Sequence, residues 1–594
     1  MSFHGSLLHR LKALATLAVV SAFVIDPALL AQKQSSSSVS STNAVYQRGL
    51  AAWQSGDLAS AHVAFESMVK ANPRNVDAQS AFGQVLWQQG NLDAAISHLQ
   101  AVTRLRPDLA IGHVHLGQAL AQQGALSEAA RELLKGVGLA PGNPQAHEAL
   151  ARLLSLEQKT DQAIAEMRRA VELEPDRPEL RDELGSLLAQ KKDFSAAQME
   201  FRTALGLNPQ YQPALLHLGV AMLESGNPDE AKQMLQRAVQ ANHNDGLAHY
   251  YLGSVLESQP DQSAALDEYQ YAAKLIPNFV PVQTKLGLLA QRAGDTQTAI
   301  SSFRAVITAQ PDNPEARSNL GLALLQEGDF DAAVRQFELA IGLAPADSSY
   351  RNNLGAAYLQ KGDFDSAIRQ YQQGLTLAPN NAELHYNLGL VFKLKDDLAS
   401  ANEELQKTIK LDPTLPDPHY TLGVILWQRG KFDEATEQLK EVARLKPDYA
   451  EAYYTLGTVY KQAGNLSLAS EALRRAIQLQ PDFAGAHITL AAVLRQQGNT
   501  QAAAAESKLG ADLTQQTMTL QAATFATNSG IKMMNAGDLD GAIAQFESAI
   551  KSDPSYARAH QQMATALERK GDKDRASQEL EVSRQLQMKS TSVK

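Results

Sequence analysis

Histidines and carboxylates are the side chains that most often bind metals or transfer protons, and several stand close together in this sequence. His147 and Glu148 begin like a zinc-protease motif, but the residue four places after His147 is an alanine, where the second histidine ligand is required. Asp329 and Asp331 are spaced like the first ligands of a calcium loop, but Ala340 stands where that loop needs a glutamate. Both motifs are incomplete, so we predict no metal site and no cofactor.

Other catalytic signatures are missing or misplaced. The stretch GVGLAPG, residues 136–142, is similar to a dinucleotide-binding loop, but its glycines lie late in a predicted helix rather than after a strand. The chain has no cysteine, which excludes disulfides, thiolate zinc sites and cysteine nucleophiles. No GxSxG motif, phosphate-binding loop or paired-carboxylate arrangement stands out. We therefore predict a protein that is not an enzyme.

Seven histidines share one position of a repeating unit. Each stands at the fourth position of its own 34-residue unit: His113, His147, His249, His385, His419, His487 and His560. Side chains one repeat apart are too far from each other to bind the same metal ion. The spacing favours histidines that pack against their own repeat, and it points to the helices that must carry them.

The period of 34 residues is set by small residues and prolines. When units are counted from Thr42, glycine occupies position eight from Gly49 to Gly457 with one exception, and alanine occupies position twenty from Ala61 to Ala503. Proline occupies position thirty-two in most of these units. Self-similarity at a fixed period is the signature of a repeat architecture.

Within one unit the sequence predicts two helices. Apolar residues recur every three or four places, as in residues 332–343 and 385–394, which is the period of an α-helix. A glycine followed by Asp or Asn separates the two runs, because glycine suits the left-handed residue that ends a helix and Asp or Asn caps the next one. Proline then stops the second helix. Neither helix can bury its apolar stripe alone, so the hairpins must stack on their neighbours.

These features together resemble the tetratricopeptide repeat. The resemblance rests on Leu-Gly at positions seven and eight, alanine at twenty, an aromatic residue or leucine at twenty-four and proline at thirty-two, as in residues 318–345 and 386–413. It covers almost all of residues 42–590. It implies an all-α fold, a right-handed superhelical solenoid of about sixteen helix-turn-helix repeats, with the first helix of each repeat lining an inner groove.

The repeats are predicted to fall into three segments. Residues 42–483 contain thirteen repeats in one frame, residues 484–522 contain a degenerate repeat and a five-residue insertion, and residues 523–590 contain two further repeats. The segment from Thr500 to Asn535 has no proline, so a longer helix could join the two frames. We predict a break, a bend or a hinge between Gly510 and Ala522.

The N-terminal 31 residues have the layout of a secretory signal peptide. Basic residues precede the apolar run of residues 13–25, which is shorter than the ~18–20 residues that span a membrane. Residues 32–41 follow as a Ser-rich linker. We predict export to the periplasm or the extracellular space, with tethering by an uncleaved N-terminal anchor as the alternative.

The charge of the chain limits its partners. A net charge of -10 and a pI near 5.8 oppose a general affinity for nucleic acid or anionic lipid. We predict no nucleic-acid partner and no membrane contact beyond the signal segment. A protein or peptide ligand is the remaining class.

Candidate binding residues lie on the first helix of each repeat, where positions two, five, nine and twelve share one face. Trp53, Trp87 and Trp427 are the only tryptophans, and all three occupy position twelve. Large aromatic residues on a concave surface are typical binding anchors. The alternative is that they fill the contacts between neighbouring hairpins.

Tyrosines and asparagines recur on the same helices. Position five holds Tyr386, Tyr420 and Tyr454, and position six holds Asn319, Asn353 and Asn387. An asparagine amide has donors and an acceptor for the backbone of an extended peptide, and the asparagine series resembles the inner surface of O-linked N-acetylglucosamine transferases. The alternative is that Tyr-Asn-Leu-Gly is simply the average sequence of the family.

The leading functional hypothesis is a non-catalytic, exported scaffold that binds an extended peptide or a partner protein along its concave groove. The resemblance to transferase repeats leaves one alternative open, a repeat array that presents substrates to a separate O-linked glycosyltransferase chain. A passive structural spacer in the cell envelope is the other alternative.

Overall fold

The computed structural model describes residues 40–258 and 262–591, and in those ranges every regular element is an α-helix. The predicted signal peptide, residues 1–31, and residues 32–39 of the predicted linker lie outside the described residues. The first helix begins at Ser40, two residues before the predicted start of the repeats. None of the described helices is both long and apolar enough to cross a membrane.

The chain divides into two compact units, the first ending at Pro311 and the second beginning at Asp312. The described helices of the first unit are α1 (Ser40–Gln54), α2 (Leu58–Ala71), α3 (Val76–Gln88), α4 (Leu92–Leu105), α5 (Ala110–Gln123), α6 (Leu126–Leu139), α7 (Pro144–Leu156), α8 (Thr160–Leu173), α9 (Pro178–Gln190), α10 (Phe194–Leu207), α11 (Gln212–Glu224), α12 (Pro228–Ala241), α13 (Gly246–Leu256), α14 (Ser263–Leu275), α15 (Val280–Arg292) and α16 (Thr296–Ala309).

The described helices of the second unit are α17 (Pro314–Glu327), α18 (Phe330–Leu343), α19 (Ser348–Lys361), α20 (Phe364–Leu377), α21 (Ala382–Leu394), α22 (Leu398–Leu411), α23 (Pro416–Gln428), α24 (Phe432–Leu445), α25 (Ala450–Gln462), α26 (Leu466–Leu479), α27 (Ala484–Gln496), α28 (Thr500–Asn535), α29 (Leu539–Ser552), α30 (Ala557–Lys570) and α31 (Lys573–Thr591). In each unit, consecutive helices pack as hairpins and each hairpin packs on the next. The all-α stack of repeats predicted from the sequence is therefore confirmed.

The turn between α17 and α18 has the predicted residues. Gly328 follows α17 with a φ of 90°, a left-handed conformation that ends the helix. Asp329 then caps α18, because its Oδ1 accepts a hydrogen bond of 3.0 Å from the backbone N–H of Ala332. Asp331 lies 2.5 Å from the Nζ of Lys361 in the next repeat. The two aspartates are thus a helix cap and an ion-pair partner.

The same turn is left-handed even where it contains no glycine. Gln158, Lys192 and Asp396 occupy this position in their repeats and have φ values of 63°, 67° and 63°. A positive φ is unfavourable for these residue types. The packing of the two helices therefore fixes the turn, and glycine is the residue that adopts it most easily.

The core of a repeat depends on close approach of its two helices. In the repeat that begins at Pro314, Phe337 and Ala333 on α18 are fully buried. A Cβ atom added to Gly321 on α17 would lie 2.6 Å from Cε1 of Phe337. Glycine at position eight thus leaves the space that the residue at position twenty-four fills, as the repeat pattern predicted.

One helix belongs to two repeats. α28 runs without interruption for 36 residues, ~54 Å at the rise of an α-helix, and so crosses the five-residue insertion. Its first part packs on α27, where a Cβ on Gly510 would lie 2.7 Å from Cγ1 of Ile488. Its last part packs on α29. The structure has the longer helix that the sequence allowed and no break in it, whereas a bend or hinge stays a prediction.

Candidate protein-binding face

The candidate binding surface is built from the first helix of each hairpin. We call the surface formed by positions two, five, nine and twelve of these helices the A face. Each unit has its own A face. The predicted tryptophans and tyrosines lie on it, together with acidic residues at position two and beside the asparagines of position six.

The three tryptophans make the same contact with the following repeat. The indole Nε1 of Trp53 donates a hydrogen bond of 2.6 Å to Oε1 of Gln88. Trp87 donates to Gln122 in the same way. In the second unit, Trp427 donates to Oε1 of Gln462 over 2.7 Å. Tryptophan at position twelve therefore links neighbouring repeats.

The tryptophans differ in how much of the ring a partner could reach. Trp53 is only 4% exposed and packs in the core against Leu50 and Phe65. Trp87 and Trp427 are half-buried. The structure thus places Trp53 in the core, where it cannot act as a surface anchor, because hairpin stacking covers it. Trp87 and Trp427 keep some exposed ring surface.

Positions five and six form a polar ladder along the second unit. Nδ2 of Asn353 donates to Oγ of Ser318 over 3.0 Å, and Nδ2 of Asn387 donates to Oδ1 of Asn352 over 2.8 Å. Each bond joins position six of one repeat to position five of the repeat before it. The amides of Asn353 and Asn387 thus connect repeats, and each Nδ2 has a second N–H left to donate.

The tyrosines continue this ladder. The hydroxyl of Tyr420 lies 3.3 Å from Oγ1 of Thr455, and Tyr386 has the same type of bond to Thr421. Burial raises the pKa of Tyr386. All three predicted tyrosines are half-buried, as is Asn319. The ring of Tyr454 lies 4.8 Å from that of Phe483.

The edges of this A face carry opposite charges. Position two is acidic and exposed at Glu315, Glu383, Asp417 and Glu451. Position twelve is basic at Lys393, Lys461 and Arg495. Among the described residues of the second unit, none of these seven side chains forms an ion pair. A helix dipole favours acids at the first turn and bases at the last, which accounts for the signs.

Several charged residues elsewhere in the second unit form ion pairs. Lys395 lies 2.5 Å from Asp365, and Arg444 makes two bonds to the carboxylate of Glu441. Charges with protein partners are less free to bind another molecule. On the A face of the second unit, charges of both signs that form no ion pair lie close to half-buried aromatic rings.

The A face of the first unit is different, because it buries an ionic network. Arg152 contacts Glu148 at 2.7 Å and also binds Glu183 of the next repeat. Glu148 is 7% exposed, and Arg177 lies 3.2 Å from it. Burial raises the pKa of Glu148, against the opposing effect of Arg152. This network was not predicted from the sequence, although its signal was charge at positions five, six and nine, which are uncharged in most other repeats.

A histidine–aspartate pair, His217 and Asp182, extends the network. Nδ1 of His217 lies 2.9 Å from Oδ1 of Asp182, which is also on the A face. Burial alone would lower the pKa of His217, but the charge and hydrogen bond of Asp182 outweigh it and leave that pKa raised. Every strong partner of these groups lies inside the first unit, so the network joins repeats four to six.

The histidines of position four serve a different purpose. In six of them Nδ1 lies 2.5–2.6 Å from a glutamate at position twenty-three of the same repeat, as in His385 and Glu404. Nε2 lies 3.0–3.1 Å from a backbone carbonyl of the preceding repeat, as in Pro379. A carbonyl only accepts, so Nε2 carries a proton. These histidines join repeats, and within the described residues no group of three or more possible metal ligands is found.

Family models agree with the repeat frame. Two models of the tetratricopeptide repeat match the chain, one at residues 188–255 and 533–591, the other at 46–110, 80–144 and 148–212. A model of the C-terminal domain of cilia and flagella-associated protein 70 matches residues 279–527. No curated protein matches the chain.

Solved structures with similar repeats include MamA, which is 30% identical, with 28% of this chain and 96% of MamA covered and a TM-score of 0.27. YrrB, described as a tetratricopeptide repeat protein with an unusual peptide-binding site, is 25% identical, with 31% of this chain and 95% of YrrB covered and a TM-score of 0.28. Yeast Tom70 is 16% identical, with 75% of this chain and 98% of Tom70 covered and a TM-score of 0.30.

Proposed function

Since this chain belongs to the tetratricopeptide repeat family, we propose that it is a non-catalytic scaffold that binds an extended peptide or a partner protein along the A face of its second unit. The observation that carries this proposal is the set of unpaired charges at the edges of that face. They lie on either side of the half-buried Tyr386 and Tyr420, and the half-buried Trp427 shares position twelve with the basic edge. Aromatic rings next to unpaired charges are typical of protein-binding surfaces.

The roles of the two edges follow from their charges. Positions two and twelve are ten residues apart on one helix, which is ~15 Å. A bound segment would lie between them, with basic side chains toward Glu315, Asp417 and Glu451 and acidic ones toward Lys393, Lys461 and Arg495. The second N–H of Asn353 and Asn387 can donate to the backbone of such a segment. The first unit offers fewer open groups, because its charges already bind one another.

The proposal is tested with crosslinking of the full chain to its captured partner, followed by mass spectrometry. We expect crosslinks on the first helices of the second unit. The triple variant Glu315→Gln, Asp417→Asn, Glu451→Gln should lose the partner. The matched control changes the same charge at exposed carboxylates off the A face, with Asp433→Asn, Asp448→Asn and Asp482→Asn, and should keep it. Retention of the partner by the first variant, or crosslinks confined to second helices, would overturn the proposal.

We also propose that the chain is exported. The apolar run of residues 13–25, with basic residues before it, supports this. Mass spectrometry of the chain recovered from its cell is the test: an N-terminus near residue 32 is expected after cleavage. An intact N-terminus in the membrane fraction would instead favour the uncleaved anchor.

A further inference from the structure

The thirteenth repeat, which begins at Ala450, lacks the polar pair that joins positions four and twenty-three in most other repeats. In the fourteenth repeat this pair is His487 and Glu506, at 2.6 Å. Arg181 and Glu200 replace it in the fifth repeat, at 2.9 Å. In the thirteenth repeat the two positions are Tyr453 and Ala472, and alanine cannot reach across.

The shortened side chain leaves an open cavity between α25 and α26. Its volume is about 490 Å³, within the range of small-molecule sites. Tyr453 forms one wall, Leu456 and Ala472 form apolar parts of the lining, and Arg474 and Arg475 supply positive charge. Glu471 also lines the cavity, so that the net charge of its lining is positive by one.

The two arginines are available to a ligand. Among the described residues, neither Arg474 nor Arg475 has a carboxylate within ion-pair distance, and both are exposed. The guanidinium carbon of Arg475 lies 5.8 Å from the centre of the Tyr453 ring, within cation–π range. Among the described residues, its hydrogen-bond partner is the side chain of Gln478, at a long distance of 3.4 Å. An arginine held against a ring and lacking an acid partner is suited to bind an anion.

We propose that this cavity binds a ligand that carries an anionic group, carboxylate or phosphate, on an aromatic ring. The anion would accept hydrogen bonds from Arg474 and Arg475. The ring would pack on Tyr453 and Leu456, which offer an aromatic and an aliphatic surface. Two guanidinium groups favour a doubly charged phosphate over a carboxylate, while Glu471 at the rim disfavours anions that cannot approach both arginines.

The site is independent of the A face. Its residues occupy positions four, seven, eleven, nineteen, twenty-two, twenty-three, twenty-five, twenty-six and twenty-nine, whereas the A face uses positions two, five, nine and twelve. Variants in the cavity therefore leave the charges of the A face unchanged. Loss of cavity binding and loss of partner binding are separate results.

The test is titration of the full chain with four probes, followed by calorimetry or ligand-observed NMR. Phenyl phosphate and benzoate carry both the ring and the anion, inorganic phosphate carries the anion alone, and benzylamine carries a ring with a positive charge. We expect phenyl phosphate to bind most tightly, benzoate more weakly, and inorganic phosphate and benzylamine least. Equal binding of phenyl phosphate and benzylamine, or no binding of phenyl phosphate at millimolar concentration, would overturn the proposal.

Two variants locate the binding. Tyr453→His with Ala472→Glu installs the residue pair of the fourteenth repeat and fills the cavity, so phenyl phosphate should no longer bind although the melting temperature is kept. Arg475→Gln changes an exposed residue and should weaken the binding of phenyl phosphate about tenfold or more. This second variant keeps the proposal testable if the filled variant does not fold. Unchanged affinity in Arg475→Gln together with Arg474→Gln would show that the anion binds elsewhere.

Discussion

Cε1 of Phe337 lies 2.6 Å from the point that a Cβ atom on Gly321 would occupy, so the two residues fill one space between α17 and α18. Phe337 is fully buried. The same relationship recurs as Gly355 with Tyr371 and as Gly530 with Phe546. The glycine at position eight is therefore a packing requirement.

Gly321→Ala should destabilise the second unit by about 1–3 kcal/mol, because the added methyl overpacks the core. Gly342→Ala is the matched control in the same repeat. Nothing lies within 4 Å of a Cβ at Gly342, so its substitution should stabilise α18 by up to about 1 kcal/mol. Chemical denaturation of both variants is the measurement. Equal changes of the same sign would contradict the packing account.

The hydrogen bond between Trp427 and Gln462 predicts a small coupling free energy between these two residues. Trp427→Phe keeps an aromatic ring and removes the N–H donor, so it should cost about 0.5–1.5 kcal/mol. Gln462→Ala removes the acceptor and should cost a similar amount. A double-mutant cycle measures the interaction directly, since the double variant should lose less than the sum of the single losses. Strict additivity would show that the hydrogen bond contributes nothing.

His385 joins its own repeat to the one before it. His385→Ala removes bonds to Glu404 and to the Pro379 carbonyl, and should destabilise the second unit by about 1–3 kcal/mol. His385→Gln should restore part of this, because Gln79 and Gln283 bond the corresponding carbonyls at 2.8 and 3.0 Å in their repeats. Thermal melts compare the two variants. A glutamine variant no more stable than the alanine variant would mean that the carbonyl bond is unimportant.

The pair of His217 and Asp182 makes the first unit sensitive to pH. The pKa of His217 is raised in the folded chain, so its contribution to stability is complete below the ordinary histidine pKa of about 6.5 and is lost as pH rises through the raised value. NMR titration of the His217 ring is the measurement. Asp182→Asn should lower the pKa of His217. The free energy of unfolding should then fall less steeply with pH above neutrality. An unchanged titration in this variant would remove Asp182 as the cause.

The repeat frame could be predicted because its signals are local. Gly328, Asp329 and Ala333 act within a few residues of their own position, through turn geometry, capping and close packing. Each 34-residue repeat then contains the same turn, cap and packing contacts. Hairpin boundaries and the long α28 followed from the same residues and from the absence of proline.

Contacts between repeats were harder to predict. Trp427 bonds to a residue 35 places later, and Arg152 to one 31 places later, so neither partner is visible in a local pattern. The tryptophans looked like binding anchors because their type is typical of interfaces. Their indole N–H groups also bond to glutamines of the following repeat, which residue type alone does not reveal, and the role of Trp87 and Trp427 as binding anchors stays a prediction.

We expect local unfolding of the repeats to begin in the middle of α28. Most side chains from 511 to 522 are exposed, and Met518 is 60% exposed, so this part of the helix has few tertiary contacts. Segments with few buried contacts unfold locally at low cost. Limited proteolysis of the full chain should therefore cut between Gly510 and Ala522 before it cuts within the repeats. A protease that cleaves after leucine or methionine would act at Leu513, Met518 or Leu520. First cuts elsewhere among the repeats would show that the two frames form one rigid segment, and would remove the predicted hinge.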